Sequence, residues 1–391
     1  MLIRSYRYKL NPTKRQHVAL ESVLESQRQL YNAALQERID CYKKTGKGIR
    51  YYDQQKSLTE IRLFDTDYSD ISACLSRWTL LAIDQTYKGF FRRVKSGQKA
   101  GFPRFKTRDR WNTFGFSEMN GVRITKDKKL AIKGIKGKIR VNWHRAMTSD
   151  DVKMCSITKS GKNWHISFRT ETHDPDQADV KSITGIDLGI SSLATLSNGD
   201  KIEPLKATKQ YAKELRLKQR KLSRCKRNSN NRKKQRVMAA KVHTKIKNTR
   251  QTYLHQVSRK LVNTYDLIAL EDLKIANMVR NPSLSKSIYD CSWSTLIHML
   301  TYKAEEAGKL VVKVNPRNTS QECSGCHNIV KKTLGQRIHD CPHCGICIDR
   351  DHNAAINILN RAVVGPEIRN LGVVMPSVSR NINLEKQLLP S

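Results

Sequence analysis

The chain has 391 residues, with 73 Lys and Arg against 35 Asp and Glu, for a formal charge of +38. That excess exceeds what solubility asks for and implies a polyanionic partner, although charge alone does not separate a nucleic-acid enzyme from a ribosomal or chromatin-like packing protein or a membrane-surface binder. The length suits about two to three domains; the opening MLIRSYRYKL lacks an apolar core of secretory length, and nowhere do eighteen apolar residues run together, so no signal peptide or membrane span is expected and the expected location is cytoplasmic.

Residues 2–8 read as a short strand, ended by Asn11-Pro12-Thr13, after which Leu20, Leu24, Tyr31 and Leu35 recur at helical spacing. Helical pattern returns at 55–63 and 71–95, where Leu75, Trp78, Leu81, Ile83, Tyr87 and Phe90 alternate with Arg77, Lys88, Arg92, Arg93 and Lys95, which predicts one core face and one basic face. Gly101-Phe102-Pro103-Arg104-Phe105 breaks the helices. From about 113 to 170 the texture changes to short apolar and basic alternations, Val122–Ile124, Leu130–Ile132, Ile139–Val141 and Trp164–Phe168, which predict antiparallel strands of a small barrel or sandwich. The polar, proline-containing segment Glu171–Asp179 reads as a linker.

The second half opens with Ile183–Asp187, a buried strand that ends in a carboxylate, followed by Leu193–Leu196 and the turn Asn198-Gly199-Asp200. From Lys206 to Arg250 Glu214 is the only acidic residue. Like charges at helical spacing repel, and a phosphate backbone would relieve the repulsion, so Arg227, Arg232, Lys233 and Lys234 are candidate nucleic-acid contacts. Leu254, Val257, Leu261 and Val262 keep helical period, and Leu267–Leu270 forms a second apolar strand ending in Glu271-Asp272. A helix is expected around Trp293–Ala304 and another strand at Leu310–Val314, which together give a mixed α/β sheet.

Four of the ten cysteines form two CxxC pairs, Cys323/Cys326 and Cys341/Cys344, with fourteen residues between them. This spacing suits one structural zinc with a closed four-thiolate shell, and a ribbon this small folds on its metal. His327, His339 and His343 are bystanders in that reading. Then comes Asp349-Arg350-Asp351-His352-Asn353, leading a helix whose apolar positions include Ala355, Ile356 and Leu359. An Asp near a helix start is ordinarily a cap, and a carboxylate at a strand end is unremarkable singly. Taken together, Asp187, Glu271 and Asp351 offer the oxygen donors that two Mg²⁺ ions need for in-line phosphodiester cleavage.

The order Gly185-Ile186-Asp187-Leu188-Gly189, Leu270-Glu271-Asp272-Leu273, Thr319-Ser320-Gln321 before the two knuckles, and Asp351-His352-Asn353-Ala354-Ala355 resembles the TnpB family of insertion-sequence proteins, relatives of the type V CRISPR nucleases. Tyr8–Pro12 and Gly101–Phe105 extend the likeness from residue 1 to about 360. The resemblance implies a multidomain α+β protein: a wedge β-barrel domain (1–12 and 113–178), a helical recognition domain (13–112), and an RNase H-like (RuvC) nuclease domain (179–318 and 346–362) with an inserted zinc ribbon (319–345). Residues 363–391 match nothing and are expected to be a flexible tail. It further implies an RNA-guided DNA endonuclease, a monomer within a ribonucleoprotein, with guide RNA and target double-stranded DNA as partners, catalytic Asp187, Glu271 and Asp351, and Mg²⁺ and Zn²⁺ as cofactors. Leaving sequence choice to RNA–DNA pairing suits a chain rich in backbone-binding Lys and Arg. His327 departs from the family, which usually has glycine after the second knuckle cysteine. The competing functions are a nuclease-inactive RNA-guided DNA-binding repressor and a DNA strand-transferase.

Overall fold

The computed structural model describes residues 2–147, 151–173, 175–333 and 335–365. The chain divides into two compact units, Met1–His173 and Asp174–Ser391. No helix among the described residues is long and apolar enough to cross a membrane.

In the first unit β1 (Leu2–Asn11) leads through Thr13 into α1 (Lys14–Thr45). Thr13 and Gln16 cap each other's backbone N–H groups, and Gly46, left-handed at φ 69°, closes the helix by donating its N–H to Tyr42. The four apolar residues read off the sequence, Leu20, Leu24, Tyr31 and Leu35, are buried. Next come α2 (Tyr51–Phe64), α3 (Thr66–Ser69) and α4 (Ala73–Lys95). On α4 the buried leucine is Leu80, not the expected Leu81, beside Leu75 and Ile83.

The strands β2 (Thr113–Phe116), β3 (Val122–Ile124), β4 (Lys129–Ile132), β5 (Lys138–Asn142), β6 (Val152–Ser160) and β7 (Asn163–Thr172) join β1 in one antiparallel sheet, ordered β2-β6-β7-β1-β5-β4-β3. It forms a half-barrel. Its register with β7, from Leu2↔Thr172 to Leu10↔Trp164, buries Tyr8 and Leu10 against Trp164, Ile166 and Phe168, the period-2 alternation of a one-sided sheet. The expected strands around 122, 130, 139 and 164 are β3, β4, β5 and β7; β2 and β6 complete the set. The segment expected as linker begins later than the sequence suggested, since β7 runs through Thr172.

The second unit is built on a five-stranded sheet of β8 (Ile183–Asp187), β9 (Ala194–Leu196), β10 (Lys201–Ile202), β11 (Leu267–Glu271) and β12 (Leu310–Val314), ordered β10-β9-β8-β11-β12. β8, β11 and β12 are parallel, whereas β9 runs antiparallel to β8 and β10 to β9. Between β10 and β11 lie α5 (Ala207–Gln210), α6 (Ala212–Ser223) and α7 (Asn230–Thr264); between β11 and β12 lie α8 (Ile275–Met278), α9 (Pro282–Cys291) and α10 (Trp293–Glu306). A small hairpin of β13 (Ile338–Asp340) and β14 (Cys347–Asp349) precedes α11 (Arg350–Val364). Residues 363 and 364 of the expected tail continue this helix, and 366–391 lie outside the described residues.

Both sheet faces are covered, which explains why β11 reads as a continuous apolar run and is buried throughout. Ile186, Ile268 and Leu270 meet Leu254, Val257 and Leu261 of α7 and Leu296 and Leu300 of α10. Leu267, Ala269, Val312 and Val314 point the other way, onto Ile358 and Ala362 of α11.

Candidate active site

Period-2 geometry decides where the strand-end acids point. Gly185 faces α11 so closely that a Cβ there would lie 2.2 Å from the Ala355 carbonyl oxygen and 2.7 Å from the Leu359 nitrogen. Asp187, two residues on, shares that face. β11 pairs with β8 in parallel with Leu270 opposite Ile186, so Glu271 emerges beside Asp187 on the same face, one strand spacing (about 4.8 Å) away. Asp351 is one helical turn before Ala355 and so comes to the same end of the sheet. Two strand ends and one helix start thus bring three carboxylates to the same end of the sheet.

Burial and neighbouring charge act on two of these carboxyl groups. Asp187 is pushed up to about 8, first by burial and then by the negative charges of Glu271 and Asp351, with the Arg350 guanidinium only partly opposing them. Glu271, buried at 8 % exposure, is also raised by burial, against a hydrogen bond from Thr319 and the charge of Arg361. Asp351 Oδ1 accepts from Arg350 Nε at 3.1 Å and Nη2 at 2.9 Å, and Arg337 Nη1 lies 3.9 Å from Oδ2.

Of the two neighbouring acids, Asp349 has other work. Asp349, not Asp351, is the cap of α11: its Oδ1 accepts from the N–H groups of Asp351 at 2.9 Å and His352 at 3.1 Å, and its Oδ2 pairs with Lys201 at 2.8 Å. Asp351 is thereby released from capping. Asp272 is exposed.

The four cysteines also converge. The Sγ atoms of Cys323, Cys326, Cys341 and Cys344 lie within 4.8 Å of one another, with Cys323–Cys344 and Cys326–Cys341 each 3.5 Å apart. A tetrahedral zinc with bonds of about 2.3 Å would set sulfur edges near 3.8 Å, so the shell fits that ion with little adjustment. The two knuckles repeat one turn: His327 N–H donates to Cys323 O and Gly345 N–H to Cys341 O, both at 2.9 Å, with φ of 60° and 74°. His327 therefore performs the glycine's left-handed turn itself, at a cost of about 1–2 kcal/mol, and its ring pairs with Glu322 at 3.0 Å. His343 is exposed and His339 is buried beside Lys332, leaving the sulfurs as the ligand set.

Of the candidate nucleic-acid contacts, Arg227, Lys233 and Lys234 are exposed where α6 turns into α7. Arg232 points back instead, with Nη1 donating to the carbonyls of Leu222 at 3.0 Å and Cys225 at 3.2 Å, which closes the end of α6. Sequence reasoning gave no role to Thr319, Arg350, Asn353 or Asn357, although all four stand inside or next to the quoted motifs; their partners are set by tertiary contacts.

Three family descriptions match the chain: "Probable transposase" over residues 165–282, "Cas12f1-like, TNB domain" over 293–358, and "Helix-turn-helix domain" over 1–47, where the structure places β1 and the single long α1. A protein of Escherichia coli K12 named "Putative RNA-guided DNA endonuclease InsQ" is 29 % identical over 376 residues, covering 91 % of this chain and 92 % of its own length. A "Putative RNA-guided DNA endonuclease" of Streptomyces pristinaespiralis is 28 % identical over 369 residues, with coverage of 91 % and 88 %. The CRISPR-associated endodeoxyribonuclease Cas12f1 of Sulfoacidibacillus thermotolerans is 32 % identical over 196 residues, 46 % of each chain. Over these spans the chain is similar to the OrfB proteins of IS605-type insertion sequences and to proteins named RNA-guided DNA endonucleases.

Proposed function

We propose that this chain is an RNA-guided DNA endonuclease of a transposable element. It binds RNA derived from its own element and cleaves double-stranded DNA beside a short flanking motif. The observation that carries this reading is the convergence of Asp187, Glu271 and Asp351 on one sheet face in a chain of charge +38. The names of its full-length relatives support it, and the strand order β10-β9-β8-β11-β12 with β9 antiparallel supports an RNase H-like, RuvC-type nuclease domain.

The all-oxygen donor set suits hard Mg²⁺, and a carboxylate raised as far as Asp187 is one whose ionised form a cation would stabilise. Two bound ions would supply an activated water and neutralise the leaving oxygen. The chain's own part is geometric. β8 and β11 hold Asp187 and Glu271 in register, α11 brings Asp351, and Arg350 pins one oxygen of Asp351. A bound cation would hold Asp187 in its ionised form, against the burial and like charge that otherwise favour its proton. The exposed Arg227, Lys233 and Lys234 serve the nucleic-acid backbone, with Arg232 holding their hairpin closed, and a structural zinc orders the ribbon.

The test is to express the gene with its native downstream flank, sequence the RNA that copurifies, and assay Mg²⁺-dependent cleavage of matching DNA. One discrete RNA and cleavage that Asp187→Ala abolishes without loss of RNA or target binding are the expected results. A heterogeneous RNA mixture, or wild-type cutting by D187A, would overturn the reading. RNA-guided binding without cutting would favour a repressor, and strand joining a transferase.

A further inference from the structure

The segment that leads into the zinc ribbon is clasped by the same helix that carries Asp351. Asn357 and Asn353 of α11 are 1 % and 0 % exposed, too buried to be surface polar residues. Asn357 Nδ2 donates to the carbonyls of Thr319 at 2.9 Å and Glu322 at 2.7 Å. Asn353 Nδ2 donates to Glu322 O at 2.7 Å while its Oδ1 accepts from Ser324 N–H at 2.9 Å. Thr319, thus fixed four residues before Cys323, is itself buried, and its hydroxyl donates to the Glu271 carboxylate.

The far side of the ribbon reaches the site by a second route. β13 and β14 flank the Cys341/Cys344 knuckle and pair Ile338 with Asp349, so the chain leaves the ribbon directly into Arg350. Arg350 N–H donates to Arg337 O at 2.7 Å and Arg350 Nη1 to Gln336 O at 3.2 Å, while Nε and Nη2 of the same guanidinium hold Asp351 Oδ1. One ribbon edge therefore ends on Glu271 and the other on Asp351.

We propose that the zinc ribbon is part of the scaffold of the carboxylate centre: Thr319 is the positioning residue of Glu271, Arg350 is that of Asp351, and ordered knuckles are required for tight divalent-cation binding. This rests on the metal-dependent nuclease reading above. A hydroxyl hydrogen bond restricts the rotamers open to a carboxylate, and partners one shell out from a metal are typically worth about 10–100-fold in affinity.

The test uses the full-length, zinc-loaded chain and reads Mn²⁺ affinity by titration, together with zinc content and melting temperature, for wild type, Asp187→Ala, Thr319→Val, Thr319→Ser and Arg350→Lys. Thr319→Val should keep its zinc and its fold yet bind Mn²⁺ about tenfold or more weakly, with Thr319→Ser restoring affinity because it restores the donor. Arg350→Lys, which keeps the charge but loses the fork, should weaken Mn²⁺ as well, and it decides the matter if Thr319→Val loses zinc or fold. Wild-type Mn²⁺ affinity in zinc-replete T319V or R350K, while D187A binds none, overturns this proposal alone. Equal Mn²⁺ binding by wild type and D187A overturns the nuclease-centre reading, and this proposal with it.

Discussion

Burial and neighbouring negative charge act together on the carboxyl group of Asp187. Its folded-state pKa, about 8, lies far above the ordinary 3.8, so the folded chain holds this proton better than the unfolded chain does. The stability this confers is fully present below about pH 4 and is lost as pH rises through 8. Without divalent cations, Asp187→Asn should therefore melt higher than wild type at pH 8.5, and the difference should shrink as pH falls toward 4. Mg²⁺ should raise the melting temperature of wild type at pH 8.5 and leave that of D187N unmoved. Equal melting of the two proteins at every pH, measured by calorimetry, would remove the electrostatic basis of the site. The same scale shows why Asp349 and Asp351, two residues apart, differ. The first faces the free N–H groups of a helix start and an exposed lysine; the second faces the carboxylates.

Among the elements, α11 matters most to the proposed site, because it covers one sheet face, carries Asp351 and grips the ribbon. Its approach to β8 depends on the missing Cβ of Gly185. Gly185→Ala should force the helix away from the strand, destabilise the protein by about 1–3 kcal/mol, and weaken Mg²⁺-dependent cleavage through Asp351. Denaturant melts check the first effect, and unchanged stability would mean that the strand and helix have room to spare. α6 and α7 show the opposite regime. No residue of α6 is buried, and the hairpin rests on a small cluster of Ala207, Val242 and Ile246 with Tyr211 and Leu215, so most of its basic surface is left outward. Arg232 is taken up in closing the hairpin, which leaves Arg227, Lys233 and Lys234 toward solvent.

For the whole molecule, the charge of +38 predicts that nucleic-acid affinity falls steeply with salt. Each phosphate contact contributes about 0.7–0.9 to the slope of log affinity against log salt. The double variant Lys233→Glu/Lys234→Glu should lower that slope by roughly 1.5 and weaken binding uniformly across sequences, as filter binding over a salt series would show. An unchanged slope would place the backbone contacts on another surface.

What the sequence determined by itself was whatever local spacing encodes. The period of apolar residues marked α1, β8 and β11; the CxxC spacing marked the four sulfurs; and charge density marked the α6–α7 hairpin. These patterns survive in the structure because hydrophobic period, ligand spacing and charge do not depend on distant partners. Tertiary structure decided the rest. Residues 187, 271 and 351 become neighbours only through parallel pairing and the packing of α11 on Gly185. Likewise, Thr319, Asn353 and Asn357 acquire meaning only through hydrogen bonds that span 29 to 48 positions of chain. A buried polar group takes its role from the partner that satisfies it, and that partner is chosen by the fold.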